Sequence, residues 1–493
     1  MPSRIRLLPA IVLLAVMPAL ASCKGGSDQS IIVDVIGSGG DPFEAGIRLS
    51  PAGQMVRAAT AEGLVGFDAE GRVIPALADR WIVTDDGLSY IFRLSDGKWS
   101  DGSELSGESA RDALRQQIAA LAGTPLGRDL AGINEVRAMA GRVVELRLSY
   151  PMPDLLDLLA QPELSLARRS KATGLFLLKR DGSLALLQPR APEARGMAVQ
   201  PGWQDSMRAI RLHALPITAA IKRFENGDTG IVLGGHVEDY PQAREAAGIS
   251  RRALRLDPVT GLFGLVILNG DGWLANPDAR EALAMAVDRD ALAAELAGSG
   301  WTPTTRIIAP SVADAPTAIG ERWTGINVSR RRTEAAARLV KSAVKGGHAL
   351  TLKIALPSGI GADVIYNRLA ADFGAIGIKL QRAELDDNAD LRLVDLVARY
   401  SRADWFLQQL SCSTTRGLCS SAADKSAEAA RQSADPARRA ALLADAEAEL
   451  TSANVFIPLG SPIRWSLIRD PVPGFIVNHR GIHPLPPIAA RTN

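Results

Sequence analysis

Between residues 61 and 114 the chain reads AEGLVGFDAEGRVIPALADRWIVTDDGLSYIFRLSDGKWSDGSELSGESARDAL, strand-forming segments cut by closely spaced turn signals. Asp85-Asp86-Gly87 lies between two such segments, and an acid-Gly pair supplies the positive φ of a tight hairpin, so two strands are expected to flank it. Tyr90, Phe92 and Leu94 alternate with Ile91, Arg93 and Ser95, which turns one face to a core and the other to water. Asp96-Gly97 and Asp101-Gly102 mark two further turns. A helix then begins after Ser106, which can cap it, with Glu108 in its first turn and Ala110, Leu114, Ile118 and Leu121 at helical spacing.

The start of the chain is of another kind. Arg4 and Arg6 precede an apolar run over residues 7–20, about 14 residues where a membrane span needs roughly 20, so residues 1–22 read as an export signal. Leu20-Ala21-Ser22-Cys23 resembles a bacterial lipobox, which implies cleavage before Cys23 and its acylation; a plain signal peptide with a chance cysteine is the competing reading. Residues 23–30 follow as a flexible tether. Loss of Arg4 and Arg6 takes the formal charge from +2 to zero, which gives no reason to expect nucleic acid as a partner. The remaining stretch of about 470 residues exceeds what one core supports, so at least two lobes are expected.

Further along, residues 31–36 form a short apolar strand running into Gly37-Ser38-Gly39-Gly40-Asp41-Pro42, a glycine cluster without the complete fingerprint of a nucleotide site. Residues 262–268 are almost continuously apolar, as in a strand covered on both faces. Asn276 and Pro277 open a helix, Asp288 caps the next, and Ser329 caps a third. Residues 329–380 alternate helix, strand, helix, strand, which implies parallel pairing in an α/β lobe. Residues 424–452 form two alanine-rich helices broken near Asp435-Pro436.

The order of residues 61–114, with Tyr150-Pro151-Met152-Pro153, Leu268-Asn269, Asn276-Pro277-Asp278-Ala279-Arg280-Glu281-Ala282-Leu283 to Asp288-Arg289, and Val455-Phe456-Ile457-Pro458-Leu459, resembles family 5 of the extracytoplasmic solute-binding proteins, receptors of dipeptide, oligopeptide and nickel ABC importers. The resemblance implies an α/β, two-lobed periplasmic-binding-protein fold (type II, large peptide-binding cluster) with an extra N-terminal subdomain and a hinge. Its expected layout is a first lobe of residues 31–258 plus 456–493, with a subdomain inserted at about 65–165, and a second lobe of 259–455. It also implies a small-molecule or peptide ligand, an inner-membrane permease as partner, a periplasmic, lipid-anchored monomer and no cofactor. The competing function is an envelope lipoprotein that keeps the fold as sensor or scaffold. No G-x-S-x-G elbow or metal-ligand spacing points to an enzyme.

Four residues are expected at the ligand. Ser38 and Gly39 belong to the loop that the family turns to the cleft. Relatives place an acid near residue 404 to meet a peptide amine, and in the shortened Arg399-Tyr400-Ser401-Arg402-Ala403-Asp404-Trp405 only Asp404 is left for that role. A surface turn cap is its bland alternative. Trp405 either walls the pocket or fills a core. Cys412 and Cys419 close a short loop as a disulfide or form half of a metal site, and the family's local cysteine pair favours the disulfide.

Overall fold

The computed structural model describes residues 30–168, 171–248, 252–296, 301–342, 350–385 and 388–491. The export signal, Cys23 and the tether as far as Gln29 lie outside the described residues.

Two sheets form the body. The first has seven strands in the order Phe176–Asp181, Leu184–Pro189, Ile210–Leu215, Ile31–Ile36, Ile231–Gly235, Trp465–Ile468 and Leu254–Leu256. Ile31–Ile36 lies at its centre, parallel to both neighbours, and Val33 and Val35 are fully buried. Asp34 points from the same strand into the interior and is answered by Arg223 at 2.8 Å, since a buried carboxylate needs a partner.

The second sheet has five strands, Ile378–Ala383, Leu350–Ala355, Leu391–Val397, Gly261–Ile267 and Phe456–Gly460. Gly261–Ile267 is antiparallel to both neighbours and buried at six of its seven residues, which explains its apolar run. Leu350–Ala355 and Ile378–Ala383 are parallel and joined by the helix Ile360–Gly374, the crossover expected from their alternation. Asn276 caps the helix Pro277–Ala286 and Asp288 accepts from the Ala291 amide of the next. The helix Val328–Ser342 starts two residues earlier than a cap at Ser329 allows: Asn327 accepts from the Arg330 amide, and Ser329 is already helical.

The dense stretch after residue 61 folds as a separate four-stranded sheet, Ala78–Val83, Ser89–Leu94, Val143–Leu148 and Ile133–Met139, covered by the helix Gly107–Ala120. Gly87 turns its hairpin at a φ of +68°. Ser106 caps the helix, and Ser109 returns the bond to the Ser106 amide while also accepting from Trp99 Nε1 at 3.1 Å. That second bond ties a fully buried tryptophan to the cap. The apolar core of this subdomain is continuous with Trp405, Phe406 and Leu443 on the helices Ala403–Gln409 and Pro436–Ala453 of the second lobe.

The chain passes between the sheets at residues 257–260 and returns at 461–464, with the Asp257 amide donating to the Arg464 carbonyl. The return falls later than 456, because Phe456–Gly460 pairs with Gly261–Ile267 and all five of its residues are buried there.

Candidate functional site

Both sheets contribute walls to a cavity of about 880 Å³ between the lobes. Gly234, His236 and Trp465 face it from the ends of first-sheet strands; Asp395 to Arg399 and the loop at 413–416 face it from the second lobe. Two polar contacts lie on its wall. Arg464, at the returning crossover, donates to both Asp395 oxygens at 2.8 and 2.9 Å. Burial alone raises the Asp395 pKa, but the guanidinium of Arg464 and the imidazole of His236, 3.8 Å away, outweigh it and hold the carboxyl below its usual range. Asp257 accepts from the Asn478 amide at 2.9 Å and lies 3.1 Å from His483 Nε2.

The subdomain is tied in by two arginines. Arg399 Nε donates to Asp129 Oδ2 at 2.6 Å, joining the second lobe to the subdomain. Arg480, near the C-terminus, donates to the Arg399 carbonyl at 2.9 Å and to Gly71 O, and pairs with Asp157. Three parts of the molecule thus meet at one edge of the cavity.

His236, Glu238 and Asp395 bring ligand-type atoms within 4.8 Å of one another. Arg464 already takes both Asp395 oxygens, and a guanidinium in that position repels a divalent ion, so the cluster fits an ion pair better than a metal.

None of the four ligand residues expected from sequence lines this cavity. Ser38 Oγ donates to Asp41 Oδ1 at 2.6 Å, and Gly39 sits against Ser183, so that loop is folded on itself. Asp404 lines a second cavity of about 440 Å³ between the subdomain and the second lobe, with Asp129, Asp154 and Asp314. Burial, and then the charge of Asp314, raise its pKa. Trp405 is fully buried, edge-on to Phe406 with ring centroids 5.1 Å apart, and is a core residue. In the segment 399–405, where an acid is expected at the ligand, the residue on the cavity wall is Arg399.

Cys412 and Cys419 are joined, with Cα atoms 5.1 Å apart, and their loop carries Thr414, Thr415 and Arg416 to the cavity. A closure this short contributes about 2.5 kcal/mol by restricting the unfolded chain. Peptide mapping without reductant is expected to recover the two cysteines on one linked pair, and Cys412→Ser with Cys419→Ser to lower stability by about that amount.

Two sheet-based lobes, two crossovers and a cavity between them define a two-lobed solute-binding architecture. Comparison with known proteins agrees. The model of "Bacterial extracellular solute-binding proteins, family 5 Middle" matches residues 72–180 and 202–417, and the chain belongs to that family. The probable deoxycholate-binding periplasmic protein YgiS of Escherichia coli K12 is 35% identical over 121 residues, 21% of this chain and 23% of that protein. The glutathione-binding protein GsiB of the same strain is 23% identical over 333 residues, 62% of this chain and 61% of its own. The matches thus span less than two thirds of the curated relatives' length. Among solved structures, Haemophilus influenzae OppA in complex with the peptide RPPGFSPFR superposes with a TM-score of 0.79 at 17% identity, covering 93% of this chain and 99% of that one. The murein tripeptide binding protein MppA of E. coli gives 0.79 at 18% identity, covering 94% and 99%. The two-lobed fold is shared with both.

Proposed function

We propose that this protein is the solute receptor of an ABC importer, capturing a small solute between its lobes and presenting the closed form to a permease. The observation that carries the reading is the cavity of about 880 Å³ walled by both lobes, a volume within the range that encloses a small organic ligand. The passages at 257–260 and 461–464 supply a hinge, since a pair of adjacent crossovers can absorb the rotation of one lobe against the other. Family membership supports the receptor role, and relatives named for binding deoxycholate and glutathione support a small organic ligand. Binding and closure then do the work, with no covalent step.

The test is native mass spectrometry of the protein purified from cells, followed by small-angle scattering before and after ligand removal. A retained solute and a larger radius of gyration in the stripped protein are expected. A stripped protein that is no wider, and that takes up no solute from extract, would end the reading.

The site of action in this reading is the periplasm, with the protein monomeric and held to a membrane through acylated Cys23 and the tether after it. Among the described residues no helix is long and apolar enough to cross a membrane. Cys23→Ser is expected to move the protein from the membrane pellet to the soluble fraction, with intact mass reporting the missing diacylglycerol.

A further inference from the structure

Resting on that receptor reading, we infer that the solute held between the lobes is an organic anion, a carboxylate-type ligand without a free ammonium group. The argument is a balance of the charges on the cavity wall. The acids there are Glu163, Asp257 and Asp395, and each is already engaged. Arg464 holds both oxygens of Asp395, and the Asn478 amide and His483 engage Asp257. Glu163 accepts from Gln54 Nε2 at 3.1 Å, and burial raises its pKa. An ammonium would have to compete with these partners for each acid, or stand unpaired in a closed cleft, and either is unfavourable.

The cations show the opposite imbalance. Arg399, Arg464 and Arg480 are paired with Asp129, Asp395 and Asp157. Arg48, Arg128 and Arg416 line the same cavity, and among the described residues none of the three has an ion pair. They come from separate places: Arg48 from the loop before the helix Pro51–Thr60, Arg128 from the subdomain helix Pro125–Asp129, and Arg416 from the loop closed by Cys412 and Cys419. An anion in the cavity is therefore attracted by guanidinium groups carried on the first lobe, the subdomain and the second lobe. Closure then gathers positive charge that only an anionic occupant neutralises, so the ligand's charge is coupled to the closed state.

The disulfide has a part in this. Arg416 is exposed and sits three residues from Cys419, so the covalent loop limits the region Arg416 samples and lowers the ordering cost of an anion contact.

The experiment is calorimetry with four matched probes: N-acetyl-trialanine, its C-terminal amide, free trialanine and trialanine amide. N-acetyl-trialanine is expected to bind tightest and trialanine amide, the cation, weakest. Arg48→Gln with Arg416→Gln changes two exposed side chains without ion pairs, and is expected to weaken the anionic probe by about tenfold or more while leaving the neutral one within a factor of about two. Equal or tighter binding of the cation, or an anion affinity unchanged in the double variant, would overturn the inference. Mass spectrometry of the retained solute keeps this apart from the receptor reading. A retained cation or neutral solute sinks the anion inference and leaves the receptor standing, whereas a protein that carries nothing and binds none of the four probes counts against both.

Discussion

Glu447→Ala is expected to destabilise the protein by about 3–5 kcal/mol, because it strands a buried guanidinium. Glu447 is fully buried and Arg306 is 7% exposed. Arg306 Nη2 lies 2.8 Å from Glu447 Oε2 and Nε 3.3 Å from Oε1, and the Ile308 amide donates to Oε1 at 3.1 Å. One carboxylate therefore satisfies three donors and fixes the segment around Arg306 to the long helix Pro436–Ala453. Removing it leaves the charge behind with, among the described residues, the Pro316 carbonyl at 3.1 Å. Pairing the change with Arg306→Met removes the stranded charge and is expected to recover most of the loss. Urea unfolding of both variants checks this; a single variant within about 1 kcal/mol of wild type would show that water or another group reaches Arg306.

The second large effect depends on pH. Burial raises the Asp154 carboxyl from 3.8 to about 7, only partly offset by Arg402, whose Nε is 3.4 Å away, and reinforced by Asp404, Asp157 and Asp314. A carboxyl that is a weaker acid in the folded state keeps its proton there while the unfolded chain has released it. The stability it contributes is therefore complete below about pH 4 and is lost as pH rises through about 7. Asp154→Asn removes that loss. The difference between variant and wild type isolates this residue from the other carboxylates and is expected to grow from near zero at pH 4 to roughly 2–3 kcal/mol in favour of the variant at pH 8. Denaturation curves over that range decide it, and a difference that stays flat with pH would place the charge in a wetter setting than the cavity it lines.

What was legible in the sequence follows from how local each signal is. The burial of Gly261–Ile267, the hairpin at Gly87 and the caps at Ser106 and Asn276 are each written within a few residues, so periodicity and turn chemistry read them correctly. Ser329 and Asn327 are both good caps two residues apart, and packing rather than propensity chose between them. The run Phe456–Gly460 reads as a buried strand, but its partner 190 residues earlier decides which lobe it joins. The cavity was the least legible part. Arg48, Arg128, Arg399, Arg416 and Arg464 come from four distant stretches and share no spacing, and Asp404, the one acid near the family's amine-binding position, faces a different cavity.

The strand Trp465–Ile468 sits between Ile231–Gly235 and Leu254–Leu256, with Leu467 opposite both Val232 and Leu254. Leu254–Leu256 therefore has no neighbour in its sheet until the last thirty or so residues of the polypeptide have emerged. Pairings of such long sequence separation form late and slowly, since loop closure must precede any gain from them. The first sheet stays incomplete until the strand Trp465–Ile468 arrives, so a polypeptide cut short before Trp465 cannot complete the sheet that forms one wall of the cleft.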